Sequence, residues 1–508
     1  MHLANQLLRE LDTPGLSLNE RAHLRCRLAK QLEQGGDYEA AGEAMAELWQ
    51  GIGARPMLEG LDDETKAEVL LRVGALTGWI GSSRQIEGSQ EMAKDLISES
   101  ARAFEELGQR NKVGEAKSDL ALCYWRAGAY DEARVILQEA LAEFDESNIE
   151  ERAIALIRKA LVERASTRLS EALSIYNQAL PLFAQIDDHL LTAHFHHGFA
   201  NVLNQMSAAE HRQDYVDQAL IEYSAAAFHF EQAGHTRYQA CVDINLGFLF
   251  FTLNRFSEAH EHLDRAQVLF TKLEDNLHLA QVDETRARVL MAEGRIVEAE
   301  KTVRAAVLTL EKGYEATWLV EALTTHGIAL ARLDHPEQAR ATLERAVNES
   351  EQTGDFESAG VAALTIVEHL GRDLSARDLC EIIDRAGALL EKTQDISILR
   401  RLAKAAFESL FLTQAVPAPP DWDGFSLKDA VRRYEAHLIK LALKETGGMV
   451  TAAARLLGFR HHQSLITLIG SRHKELIETG ARAPVRSRRR HLIVHPKRKK
   501  KKVRADHS

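Results

Sequence analysis

Proline is scarce in this chain, with nine in 508 residues where about 5% is usual. Only Pro181 and Pro336 interrupt residues 57 to 416, which predicts a nearly continuous helical array there, because proline disrupts helix interiors. Cysteine is scarcer still. Cys26, Cys123, Cys241 and Cys380 each stand more than 90 positions from the next, so no CxxC pair or compact zinc site of adjacent ligands can form, and all four read as small core residues. No segment approaches the roughly 20 apolar residues of a membrane span. The greasiest stretch, 244–253 (INLGFLFFTL), is half that length. The N-terminus has no basic region followed by an apolar one, so no secretory signal is read and a cytoplasmic location without a membrane partner is expected. Phosphate-loop, dinucleotide-binding, HExxH and GxSxG signatures are missing as well. No catalytic, cofactor-binding or metal residue is assigned, and the chain is not expected to be an enzyme.

Charge is present but unevenly spread. The net −12 resolves into −27 over residues 1–423, +4 over 424–478 and +11 over 479–508. A mildly acidic average therefore joins an acidic body to a basic end.

The body is repetitive. Leu120 to Ala133 (LALCYWRAGAYDEA) recurs as Leu246 to Ala259 (LGFLFFTLNRFSEA), with weaker copies ending at Ala299 and Ala339. Following that alanine gives Ala40, Ala93, Ala133, Ala172, Ala219, Ala259, Ala299 and Ala339, and five of the seven intervals are 39 or 40. A second alanine follows seven positions on in six copies: Ala140, Ala179, Ala226, Ala266, Ala306 and Ala346. Seven residues are two helical turns, so each pair lies on one helix face. A larger residue fills the gap between them, such as Leu137, Tyr176 or Leu263. The two longer intervals place extra residues at 79–90 and 201–217, as helix extensions or loops.

This unit of helix, tight turn and helix resembles the tetratricopeptide (TPR) repeat. It carries a small residue in the first helix (Ala121, Gly247, Gly327), a turn aromatic (Tyr38, Tyr130, Phe256) and the alanine pair in the second. The period of about 40 is longer than the usual 34, which predicts longer helices. The resemblance implies an α-solenoid of helical hairpins over 1–414 whose inner helices line a groove for a protein or peptide partner. His194, His196 and His197 are adjacent on one predicted helix, where successive side chains diverge by about 100°, so they read as structural or groove-lining rather than as a metal site.

A proline-rich linker, 415–424, ends the array. Beyond it Ser426 can cap a helix to about Thr446, Gly447 and Gly448 stop it, a short helix covers Val450 to Leu457, Gly458 turns the chain, and a third helix runs from about His462 to Ile477. Gly448 to Phe459 (GMVTAAARLLGF) resembles the Fis-type helix-turn-helix, in which Ala453 and Ala454 allow close packing and Leu456 and Leu457 face the first helix. Met449 stands where that family usually has Asn, and the stretch 460–464 is one residue longer than usual, which leaves the register of the third helix open by one.

The whole chain is thus expected to be all-α: a TPR-like solenoid, a small helix-turn-helix domain at 425–478 and a disordered basic tail at 479–508. The resemblance implies a transcription regulator on double-stranded DNA, working as a homodimer through the long helix at 427–444. Arg460, His461, His462, Gln463, Ser464 and Thr467 are the candidate base or phosphate contacts. Arg472 and Lys474, and Arg486, Arg488, Arg489 and Arg490 of the tail, are further candidate contacts to phosphates or a minor groove. The alternative is a non-enzymatic TPR adaptor whose last module binds protein or RNA.

Overall fold

The computed structural model describes residues 2–473 apart from 12, 85, 211, 314, 315, 394 and 414–425. The chain divides into two compact units, Met1–Gln414 and Ala415–Ser508. Every regular element among the described residues is an α-helix, so the all-α expectation holds.

The first unit opens with α1 (His2–Leu11). Nine hairpins follow: α2 (Leu18–Gln34) with α3 (Tyr38–Ala44), α4 (Asp63–Ser83) with α5 (Ser89–Glu106), α6 (Arg110–Arg126) with α7 (Tyr130–Glu143), α8 (Ile149–Ala165) with α9 (Leu169–Phe183), α10 (His189–Glu210) with α11 (Gln213–Gln232), α12 (Thr236–Thr252) with α13 (Phe256–Lys272), α14 (Asn276–Ala292) with α15 (Ile296–Leu310), α16 (Ala316–Arg332) with α17 (Pro336–Gln352), and α18 (Phe356–Leu370) with α19 (Ala376–Leu389). The last element is α20 (Ile396–Thr413). Along most of the array each even-numbered helix packs on its hairpin partner and on the next even-numbered helix, so the even helices form the inner layer of a solenoid.

The alanine pairs do what their spacing requires. From Ala93 onward every first alanine, and every second one, is buried, with Leu137, Tyr176, Tyr223, Leu263, Val303 and Leu343 buried between them. Their counterparts on the inner helices are small for a measurable reason. A Cβ on Gly247 would lie 2.9 Å from the Leu263 side chain, and one on Gly327 only 2.4 Å from that of Leu343. Where the seventh position after Ala93 is not alanine, Ser100 is buried instead and its hydroxyl donates to the Ala67 carbonyl at 2.8 Å. The hairpins turn alike. The amide three residues past the inner helix bonds back to its last turn in Ala129→Tyr124, Arg168→Glu163, Arg255→Phe250, Arg295→Leu290 and His335→Leu330. One left-handed residue, Gly128, Thr167, Asn254, Gly294 or Asp334, precedes each of these amides.

The structure refines several readings of the sequence and corrects others. Ala40 is not the first core alanine, because α3 is only two turns long and buries Ala41 and Ala44. The extra residues of that first interval lie partly in the irregular stretch 45–62 as well as in a longer α4, whereas 201–210 simply lengthens α10. Pro336 starts α17, where no amide is needed, and Pro181 sits inside α9 near its end, so neither breaks the array. Cys26 and Cys123 are buried, but Cys241 is only partly so and Cys380 is exposed.

The second unit contains α21 (Leu427–Glu445), α22 (Val450–Leu456) and α23 (His462–Arg472). Ser426 caps α21 by accepting from the Asp429 amide at 3.2 Å, and Gly447 and Gly448, both left-handed, end it. Ile439, Ala442 and Leu443 of α21 pack with Val450, Ala453 and Ala454 of α22 and Leu465 and Ile469 of α23. Left-handed Gly458 turns the chain between the last two helices. Leu457 joins this core as expected, but Leu456 is 60% exposed and points away from it.

Candidate functional site

Burying Leu465 and Ile469 turns the opposite face of α23 outward. Gln463, Ser464, Thr467, Ser471 and Arg472 recur at helical spacing along that face and, with His461, line one open depression. Arg460, His461, His462, Gln463, Ser464, Thr467 and Arg472, all singled out from the sequence, are exposed. The Thr467 hydroxyl donates to the Gln463 carbonyl at 2.9 Å, leaving its oxygen free to accept. Ser471 was missed, although its place one turn after Thr467 marks it. Helix α23 begins at His462, with His461 as its extended cap. Lys474, Arg486, Arg488, Arg489 and Arg490 lie outside the described residues, as does the expected extension of α23 to Ile477.

The other face of α21 is apolar and is left uncovered by the described residues of its unit. Val431, Tyr434, Leu438 and Leu441 are 56%, 38%, 39% and 49% exposed. Their spacing of three, four and three is that of a coiled-coil seam.

In the solenoid the inner helices α12 to α20 enclose a cavity of about 520 Å³. Phe248, Phe251 and Met291 give it an apolar wall, and Glu321, Arg332 and Arg401 stand among its polar residues. Arg288 pairs with Glu284 at 2.5 Å, and Thr325 donates to the same carboxylate oxygen. Desolvation in the groove, and then the neighbouring Glu284, hold the Glu321 carboxyl above the usual carboxylate range. These residues were not picked from the sequence, yet a signal existed. Phe248, Arg288 and Ile328, and likewise Glu321, Val361 and Arg401, are spaced by 40 and so occupy one phase of the repeat.

Nearer the N-terminus the inner layer holds buried charge. Arg72 pairs with Glu33 and Glu115, Lys30 with Glu115 and Glu151, and Lys112 with Glu68 and Glu115. Burial alone would raise the Glu115 carboxyl, but Lys30, Lys112 and Arg72 hold it far below the usual range. The histidines of α10 part company. His194 and His197 are packed among Phe230, Tyr238 and Tyr223, and burial pushes them down to about 4 and about 3. His196 turns instead to Glu222 at 2.6 Å. Among the described residues no group of three or more potential ligands is arranged to hold a metal ion, and no helix is long and apolar enough to cross a membrane.

Stacked antiparallel hairpins with an inner helical layer define a TPR-like α-solenoid. Residues 114–139 and 320–345 match the tetratricopeptide repeat profile, so the chain contains TPR repeats. A Rap protein complexed with competence and sporulation factor superposes with a TM-score of 0.51 at 13% identity, over 76% of this chain and 99% of that one. Yeast Tom70 gives 0.47 at 15% identity, over 82% and 86%. The quorum sensor NprR from B. thuringiensis gives 0.47 at 14% identity, over 68% and 92%. At these identities the likeness concerns fold. No curated protein sequence matches the chain significantly.

Proposed function

We propose that this chain is a DNA-binding transcription regulator, with a helix-turn-helix domain at 425–478, a basic tail at 479–508, and a solenoid that senses or docks a protein, peptide or small-molecule partner. The observation that carries the reading is the outward polar face of α23, with Arg460 to Ser464 at its start, on a small three-helix unit of net positive charge. Such a face offers hydrogen bonds to base edges, and the basic tail supplies sequence-independent attraction to phosphates. The coiled-coil spacing along α21 supports a homodimer, whose two-fold axis would set two half-sites one or more helical turns of DNA apart. A non-catalytic sensing role for the solenoid fits a fold that presents an extended inner surface.

Selection of genomic duplex fragments by the full chain tests this directly. Recovered sites should share a two-fold motif. Gln463→Ala should weaken binding to that motif by about 1–3 kcal/mol. Removing residues 479–508 should weaken all duplexes alike and flatten the salt dependence. If no duplex is preferred over single strands at physiological salt, and Arg460→Ala and Gln463→Ala change nothing, the reading is wrong.

A further inference from the structure

The turn between α2 and α3 is gripped by helices far along the chain. A Cβ on Gly36, whose φ is +75°, would fall 2.6 Å from the Tyr238 hydroxyl, and one on Gly35 would fall 3.4 Å from His235 Nε2. His194 of α10 donates to the Gln34 carbonyl, and His235, the residue before α12, donates to that of Gly35. Tyr238 stacks on Phe230 with ring centroids 5.2 Å apart, and the His194 ring stands nearly perpendicular to both. Tyr38, which opens α3, stacks on Trp79 of α4. Two imidazoles of the fifth and sixth hairpins thus hold two successive carbonyls of the first.

The grip suits neutral imidazoles and has little room for charged ones. His235 Nδ1 is buried with no hydrogen-bond partner, so a second proton there would meet no acceptor. Burial, and then the neighbouring His235, hold His194 down at about 4, and burial likewise lowers His235. The bonds to Gln34 and Gly35 favour the charged rings, but burial outweighs them. Arg237 and the chain's α-amino group act against a charge on His235, and Arg237 is itself paired with Asp275. His197, also neutral and buried, neighbours His194. Asp188 favours a charge on His194, but its Oδ1 accepts from the Leu190 and Leu191 amides. On the side of the turn Glu33 is paired with Arg72, the Asp37 carboxylate caps Ala40, and burial pushes the Tyr38 and Tyr238 hydroxyls up. Arg126, lying over the Trp79 ring, brings a further positive charge to Tyr38.

We propose that the α2–α3 turn is an acid-released latch: neutral His194 and His235 hold it against α10 and α12, and protonation of the two imidazoles frees the first hairpin and uncovers Tyr238. A released imidazole titrates near its ordinary value of about 6.5. The open form therefore binds protons that the closed form refuses. As pH falls from there towards 4, His194 alone favours opening by up to about tenfold per unit, and His235 adds to it in the same direction.

Hydrogen exchange of the full chain, read by mass spectrometry at pH 7.5 and pH 5.0 and normalised to the intrinsic exchange rate, tests the latch. Amides of residues 30–45 and 235–241 should lose about thirtyfold in protection at the lower pH through His194 alone. Those of α16 to α19 should keep theirs. His194→Gln with His235→Gln leaves a side-chain donor at each place but nothing that titrates, and should hold the turn closed at both pH values. Gly36→Ala should open it already at pH 7.5, because the added Cβ meets Tyr238. Gly128→Ala, with a like φ of +74° and nothing within 4 Å of its Cβ, should leave residues 30–45 protected and so controls for backbone strain. Equal protection at the two pH values overturns the proposal. So does acid opening that survives the double glutamine change, or a Gly36→Ala chain as protected as Gly128→Ala. A loss at pH 5.0 shared by α16 to α19 overturns it as well, since the whole array is then unfolding.

Discussion

Arg72 Nη1 donates to Glu33 Oε2 at 2.6 Å, across 39 positions of sequence and with the two side chains only 3% and 8% exposed. Its Nη2 reaches Glu115 at 3.3 Å, and Glu115 also receives Lys30 and Lys112. One guanidinium thus ties α2, α4 and α6 together. Breaking such a buried pair from one side is more damaging than never having it, because the partner charge stays desolvated. Arg72→Met should lower the stability of the N-terminal repeats by about 3–5 kcal/mol. The triple change Arg72→Met, Glu33→Leu and Glu115→Leu should recover much of the loss. Urea unfolding followed by tryptophan fluorescence measures both, and a loss under about 1 kcal/mol for the single change would mean that water reaches the cluster.

Acid should destabilise the solenoid in two stages. His194 and His197 have folded pKa values of about 4 and about 3, below the ordinary 6.5. Between 6.5 and those values the unfolded chain binds the extra protons, so stability falls as pH falls, by about 1.4 kcal/mol per pH unit for each histidine. Glu115, depressed in the fold, contributes stability that is present above its ordinary 4.5 and is lost as pH drops further. His197→Gln should therefore flatten the stability profile between pH 6.5 and 4 by roughly one proton. A slope identical to that of the parent would show that His197 does not titrate with unfolding.

Thr167 holds a φ of 58° in the α8–α9 turn, a conformation its branched Cβ disfavours. The equivalent place between α6 and α7 is Gly128. Thr167→Gly should stabilise the chain by about 1 kcal/mol, the relief of left-handed strain exceeding the added freedom of the unfolded glycine. Thermal unfolding under matched conditions reads the sign. A lower midpoint would place the turn's preference elsewhere than in the backbone.

The seam on α21 gives an assembly prediction. Leu438 and Leu441 take no part in the core of their own unit, so Leu438→Glu with Leu441→Glu should leave that core intact while separating a dimer. Sedimentation velocity should show a halved mass, and binding to a two-fold DNA site should weaken at least tenfold as the second half-site stops contributing. A parent that sediments as a monomer at all concentrations would remove the seam's assigned partner.

Much of this architecture is legible in the chain because it repeats. Ala133, Leu137 and Ala140 announce a packed face by spacing alone, and their burial follows from helix geometry rather than from any distant contact. Leu456 misled because a heptad-like run of apolar residues in a helix of two turns cannot show which side its neighbours occupy. The charged cluster was hidden for a different reason. Lys30, Arg72, Glu115 and Glu151 each look like solvated positions on separate amphipathic helices, and only the stacking of the inner helices brings them together. The groove residues stand between these cases, since their phase within the repeat is readable but the cavity that they line is not.

The turn joining α2 to α3 also lies against α12, where a Cβ on Gly36 would fall 2.6 Å from the Tyr238 hydroxyl and one on Gly35 would fall 3.4 Å from His235 Nε2. Hairpins of a solenoid ordinarily fold on their nearest neighbours, and the ends can fray one repeat at a time. Here some two hundred residues of chain are closed into a loop by that contact, and the Lys30–Glu151 pair closes a shorter one, which raises the contact order of an otherwise local fold. The first hairpin therefore cannot unzip without releasing the sixth, and the N-terminal half of the array should melt as one cooperative block rather than peel from its end.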